Sequence, residues 1–187
     1  VNDAPVLAVV SDVSFDEDGS GLLSLSASDV ENDELTYGVS GGTYISAELD
    51  GSDVTFSAGP NWNGSESFTV SASDAEYTDS QSITVTVNAL NDPPVATTDL
   101  AGTTDEDQSV VVTLSGSDDD GDNLTFSLGN DATNGSVVID GIYATYTPTA
   151  NYHGSDSFTF TVSDSELSDD ASVSISITSV NDAPVLA

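Results

Sequence analysis

Apolar residues alternate with Ser and Thr over much of this chain, at the period of a strand that buries one face. Ser67-Phe68-Thr69-Val70-Ser71-Ala72 and Ser82-Ile83-Thr84-Val85-Thr86-Val87 carry the pattern most clearly. Val6 to Val13, Leu22 to Ala27, Leu35-Thr36-Tyr37, Ala47-Glu48-Leu49 and Val54-Thr55-Phe56 add further strands. Gly, Asn, Asp and Pro separate these runs at intervals of roughly 8–12 residues, the punctuation of an antiparallel sandwich. No stretch keeps a 3.6-residue period long enough for a helix. The same order returns at Val110 to Leu114, Leu124-Thr125-Phe126, Val137 to Ile139, Tyr143 to Tyr146, Phe158 to Val162 and Val173 to Ile177. The pattern predicts an all-β chain with about seven strands in each of two copies.

A second periodicity is longer. Asn2-Asp3-Ala4-Pro5-Val6 recurs as Asn91-Asp92-Pro93-Pro94-Val95 and as Asn181-Asp182-Ala183-Pro184-Val185, at spacings of 89 and 90. A period of this size marks a string of small domains. The expected repeats are 1–92 and 93–182, with 183–187 opening the next, and the chain reads as a piece of a longer array. Glu17 falls on Glu106, Asp29 on Asp118, Glu31 on Asp120 and Asp33 on Asp122 at an offset of 89. Asn61 falls on Asn151, Phe68 on Phe158 and Asp74 on Asp164 at an offset of 90. One residue is therefore inserted between the two blocks, and a hairpin is its expected place.

Composition changes the picture at one point above all. Among 187 residues there are 33 Asp and Glu, no Lys, no Arg and one His, for a formal charge of −33. Such a chain makes no Lys or Arg ion pair, so its carboxylates stay solvated, accept hydrogen bonds or meet cations from solution. Nucleic acid and anionic membranes are excluded as electrostatic partners. Self-repulsion at this density favours disorder, and the alternating strands argue against it. Cysteine is absent, so neither disulfide nor zinc thiolate staples domains whose cores are small. No run of 18 apolar residues marks a membrane span.

The carboxylates gather in turns. The first copy has Asp16-Glu17-Asp18, Asp29-Val30-Glu31-Asn32-Asp33 and Asp74-Ala75-Glu76, and the linker adds Asn91-Asp92. Acidic turns often do no more than face water, because Asp is favoured in turns. Three such turns and a linker, repeated in register, point instead to a hard cation. Ca²⁺ takes six to eight oxygens at about 2.3–2.6 Å from carboxylates, amides and carbonyls.

These turns resemble the motifs of cadherin-like tandem repeats in large bacterial surface adhesins of the RTX type. Ala27-Ser28-Asp29-Val30-Glu31 and Ser117-Asp118-Asp119-Asp120-Gly121-Asp122-Asn123 look like the family's A-x-D-x-D-x-G-x-N turn. Val70-Ser71-Ala72-Ser73-Asp74 resembles its V-x-A-x-D strand end, and Glu17 and Glu106 stand where its Pro-Glu glutamate would be. Ile83 to Val87 running into Asn91-Asp92 is similar to its linker ending, and Asn151-Tyr152-His153-Gly154-Ser155 reads like the bacterial versions.

The resemblance implies two tandem Greek-key β-sandwich domains in an elongated array, with Ca²⁺ at the junctions. It implies a central set of Glu17, Asn91, Asp92, Asp118, Asp120 and Asp164. It implies an incoming set of Asn2, Asp3, Asp29, Glu31 and Asp74, and an outgoing set of Glu106, Asn181 and Asp182. In the family the glutamate and linker belong to the upstream domain. Ala89, Ser179, Pro93 and Ala183 depart from the linker pattern, and Asn61/Asn63 and Asn151/His153 stand near the place of a further acidic motif.

Rival readings are weaker. Asp118 to Asp122 opens like an EF-hand loop, but Asn123 and Gly129 stand at its sixth and twelfth positions. The β-roll nonapeptide is absent. His153 is the lone imidazole, so a catalytic triad is implausible, and linker acids fit a metal better than a glycosidase pair. Trp62 and Tyr152 stand at equivalent places and read as packing residues rather than sugar platforms. The expectation is a non-enzymatic extender of an extracellular bacterial adhesin, at the cell surface or secreted. Its partners are neighbouring repeats of the same chain, with no membrane insertion, in a monomeric fragment. Direct binding of polysaccharide or another adhesin, in cell or biofilm adhesion, is the alternative.

Overall fold

The computed structural model describes residues 2–183, so Pro184 and Val185 of the third linker motif, and most of the expected next repeat, lie outside the described residues. All described elements are strands. The chain divides into two compact units between Leu90 and Asn91, two residues before the boundary expected from sequence.

In the first unit β2 (Val13–Asp16), β9 (Thr78–Asn88), β8 (Gly64–Ser73) and β5 (Thr36–Gly41) form a four-stranded sheet in that order. Strands β3 (Ser20–Ser24), β7 (Asp53–Ala58) and β6 (Ile45–Asp50) form a three-stranded sheet, and β1 (Val6–Leu7) pairs β4 (Ala27–Ser28). The second unit repeats this with β11 (Leu100–Asp105), β18 (Ser168–Thr178), β17 (Gly154–Ser163) and β14 (Thr125–Leu128) in one sheet. Its other sheet is β12 (Val110–Thr113), β16 (Tyr143–Pro148) and β15 (Gly135–Asp140), and β10 (Val95–Ala96) pairs β13 (Gly116–Ser117). Among the described residues each unit has nine strands in place of the expected seven, because each of the first two strands is broken where the chain changes partner. β2 runs parallel to β9 and β11 parallel to β18; all other pairs are antiparallel.

The alternation has its expected outcome. Phe68, Val70, Ala72, Ile83, Val85 and Val87 face inward onto Val54 and Phe56, and all are buried. Phe56 and Phe68 meet edge to face at 5.0 Å. In the second unit Tyr146 takes the place of Phe56 and packs among Phe158, Phe160, Val162 and Val173.

Outward positions of β8 and β9 pair Ser65 with Thr86, Ser67 with Thr84, Thr69 with Ser82 and Ser71 with Ser80. Facing residues in a sheet lie about 4.5–5.5 Å apart. Without Lys or Arg to alternate, carboxylates there would repel, and hydroxyls such as Ser65 and Thr86, 3.0 Å apart, bond each other instead.

The inserted residue lies between β14 and β15, where the offset passes from 89 to 90. That connection crosses from one sheet to the other, so it is not the expected hairpin.

Candidate cation sites

Three segments converge at one pole of the first unit. Asp29 follows β4, and its Oδ1 accepts the N–H groups of Glu31 at 2.9 Å and Asp33 at 3.1 Å. The carboxylate thereby ties its own turn, with Asn32 at φ 59°. Asp74 follows β8 and its Oδ1 accepts from Glu76 at 2.8 Å and Tyr77 at 2.6 Å. The opening segment crosses both: Asn2 Nδ2 donates to Asp74 Oδ2 at 2.9 Å, and Asp3 N–H donates to Glu31 Oε2 at 3.2 Å.

The second unit builds the same pole from the linker. Asn91 Nδ2 donates to Asp164 Oδ2 at 2.9 Å, and Asp92 N–H donates to Asp120 Oδ2 at 2.7 Å. Asp164 Oδ1 accepts from Glu166 at 2.7 Å and Leu167 at 2.6 Å, and Asp118 Oδ1 from Asp122 at 3.1 Å. Asn91 and Asp92 are thus fastened within the second unit, which moves the division to Leu90. The Asn91 amide, with the Leu167 and Glu166 N–H groups, holds the Asp164 carboxyl below its ordinary range against the effect of burial. The Tyr77 N–H, aided by Glu76 and Asn2, does the same for Asp74.

Glu17 and Glu106 sit at the opposite pole of their units, at the far end of the 11-residue β9 and β18. Both are buried, at 4% and 7% exposure. Glu17 Oε1 accepts the Leu90 N–H at 2.5 Å and Glu106 Oε1 the Val180 N–H at 2.6 Å. Glu106 Oε2 also lies 3.7 Å from His153 Nδ1. Asp182 lines an acidic recess with Asp105, Glu106 and Asp107, and Asn181 Nδ2 donates to the Asp182 carbonyl at 3.2 Å. Within each unit, then, the linker asparagine, the turn acids and the hairpin aspartate come together, and the glutamate stands apart from them.

Whether these residues suit a cation can be judged from their oxygens. Asn2 Oδ1, Asp29 Oδ2 and Asp118 Oδ2 are buried without a hydrogen-bond partner among the described residues. A buried acceptor left unsatisfied costs about 1–3 kcal/mol, more when charged. This chain has no Lys or Arg to satisfy one. Among the described residues no three His, Asp or Glu side chains gather closely enough to chelate an ion alone. A hard cation also draws on amide, carbonyl and water oxygens, and Asn2 presents such an amide oxygen. The donors at the turn-and-linker pole of each unit are of the kind that suits Ca²⁺.

Two further carboxylates, not singled out from sequence, hold the fold. Glu66 accepts the N–H groups of Thr43, Tyr44 and Ile45, and the Ile45 contact leads in pulling its carboxyl below the usual range. Asp156, its equivalent, is one methylene shorter and receives the Asn134 N–H at 2.8 Å and the Tyr146 hydroxyl at 3.0 Å. Phe56 and Glu66 in one unit thus become Tyr146 and Asp156 in the other. Burial, opposing ionisation of Asp156, is outweighed by these bonds together, and burial with the Asp156 contact pushes the Tyr146 hydroxyl up. The only signal in the sequence was their shared offset of 90.

The comparisons agree with this architecture. The bacterial Ig domain model matches residues 2–86 and again 91–176. No curated protein sequence matches the chain. Human protocadherin-24 EC1-2 is similar in fold, with a TM-score of 0.61 at 17% identity over 96% of this chain and 100% of that one. The first four extracellular cadherin domains of protocadherin gamma B7 give 0.54 at 16% identity, over 97% of this chain and 53% of that one. An endo-fucoidan hydrolase of glycoside hydrolase family 107 gives 0.40 at 22% identity, and the chain, 95% covered, spans 29% of its length. The chain belongs to the bacterial Ig domain family, which it carries as two consecutive copies whose fold is also that of cadherin repeats.

Proposed function

We propose that this chain is a non-enzymatic spacer from an extracellular bacterial adhesin of the RTX type, stiffened by Ca²⁺ where one copy meets the next. The observation that supports it is the set of buried, unpartnered oxygens, Asn2 Oδ1, Asp29 Oδ2 and Asp118 Oδ2. Those of Asp29 and Asp118 stand at equivalent poles of a chain that has no Lys or Arg. Asn91, Asp92, Asp118, Asp120 and Asp164, with Glu17, would hold ions at the central join. Asn2, Asp3, Asp29, Glu31 and Asp74 would serve the preceding join, and Glu106, Asn181 and Asp182 the following one.

Bound Ca²⁺ would neutralise charge and draw six to eight oxygens together. The protein's part is to order the ligands beforehand. The Leu90 N–H is taken by Glu17 and the Asp92 N–H by Asp120, so little free chain is left between anchored residues. Pro93 and Pro94 restrict the backbone next to them. Partners are the neighbouring repeats.

Small-angle scattering tests the reading. Ca²⁺ should narrow the distribution of maximum dimension relative to chelator, and Asp120→Ala should abolish that response while both units stay folded. Identical profiles in chelator and Ca²⁺ would remove the clamp.

A further inference from the structure

We propose that Tyr44 and Trp62 form a platform on which an uncharged sugar ring stacks. Their rings lie 5.5 Å apart at 16°, one on the other. Trp62 packs against the core of the first unit, whereas Tyr44 stays 64% exposed. Trp62 is the packing residue expected from sequence, and it carries a second ring whose outer face meets water.

The platform is rigidly built. Glu66 grips the backbone of Thr43, Tyr44 and Ile45 through three consecutive N–H groups. Trp62 is seated over Gly64, whose φ is +148° and where a Cβ would lie 3.0 Å from the indole. A rigid aromatic face loses little entropy on binding.

The fold does not need the exposed ring. The second unit has Asn134 where the first has Tyr44, and its Tyr152 packs on the core with the hydroxyl donated to Ser155 O at 2.8 Å.

Local charge selects the ligand. Residues 35–47 and 54–65, which build the platform, contain no Asp or Glu, in a chain with 33 of them. Glu66 and Asp18, which reach the backbone on either side of the two rings, are engaged by the N–H groups of Ile45 and Asn61. A cationic partner finds carboxylates at higher density over the rest of the chain. An anionic polysaccharide is repelled by the net charge of −33. What remains is a ring face bordered by the exposed polar residues Thr43, Asn63 and Ser65, which suits the apolar face and hydroxyls of a neutral pyranose.

Affinity electrophoresis of the full chain in gels containing dextran, galactomannan or xyloglucan tests this, with alginate as the anionic control and an arginine homopolymer titrated separately. The reading is independent of Ca²⁺, so each gel is run with the ion and with chelator. At least one neutral polysaccharide should retard the protein and shift the emission of Trp62, the single tryptophan. Tyr44→Phe should retain the retardation. Tyr44→Ala and Tyr44→Asn, the latter carrying the residue natural to the second unit, should weaken it roughly tenfold at unchanged thermal transitions. Retardation by none of the three neutral polymers, equal retardation of Tyr44→Asn, or a Tyr44-dependent response to the arginine polymer alone would each overturn the proposal.

Discussion

Asn91 and Asp164, 73 residues apart, are joined by a 2.9 Å bond from the amide nitrogen of one to the carboxylate of the other, and Asn2 and Asp74 repeat it at the same length. An amide that gives its nitrogen to a carboxylate aims its oxygen elsewhere. In Asn2 that oxygen is buried with no partner among the described residues. The asparagine thus converts a surplus of negative oxygen into a mixed amide and carboxylate set, of the kind a hard cation prefers.

Ca²⁺ should therefore stabilise the folded chain beyond any screening effect. With site constants near 0.1 mM, saturation of tenfold to hundredfold adds roughly 1.4–2.7 kcal/mol per site. Differential scanning calorimetry should show the melting temperature rising with Ca²⁺ and falling with chelator. A flat titration would dispose of specific binding.

Mg²⁺ should do less. It is smaller, wants a strict octahedron and gives up water reluctantly. Equal stabilisation by the two ions at equal concentration would indicate diffuse screening of the −33 charge.

Asp118→Asn offers a sharper test. It removes a negative charge and keeps a carbonyl oxygen for the Asp122 N–H bond of 3.1 Å. In chelator the variant should be as stable as the parent or more so, having lost one charge from an acidic turn that also carries Asp119, Asp120 and Asp122. In Ca²⁺ it should lose about 1 kcal/mol or more of the metal-dependent gain. Thermal scans in both media read the two effects separately.

In chelator, acid should weaken the protein at these poles through Asp74 and Asp164, and by a second route away from them. Asp156 and Glu66 are held below their ordinary values of 3.8 and 4.5. Folding thus favours their ionised forms, and that stability is complete above those values and lost as pH falls through the folded ones. Urea midpoints should drop below about pH 4, and less steeply in Asp156→Asn. Asp156→Ala should cost on the order of 2 kcal/mol at neutral pH, because the Asn134 N–H loses its acceptor.

The sheets and the acidic turns were legible because each rests on local chemistry: alternation for Ser67 to Ala72, and an aspartate closing its own turn at Asp29 and Asp118. The glutamate grip on residues 43–45 was not, since Glu66 meets them only after β8 is seated beside that loop. Nor was β11, whose Leu-Ala-Gly-Thr-Thr-Asp lacks an apolar rhythm and becomes a strand through its partner β18. The linker residues were legible as candidate ligands, yet their attachment to the second unit depends on Asp120 and Asp164 arriving from 28 and 73 residues away.

The parallel pairing of β2 with β9, and of β11 with β18, has a mechanical consequence. A chain that enters beside its own exit strand, in the same direction, leaves each unit at the pole opposite to its entry. Tension along the polymer then loads the β2–β9 and β11–β18 ladders in shear, so their bonds share the force rather than opening one at a time. The first ladder has four residue pairs, Val13–Val85 to Asp16–Asn88, and the second has six, Leu100–Val173 to Asp105–Thr178. In single-molecule pulling the first unit should rupture at the lower force, making it the extensible link of the pair.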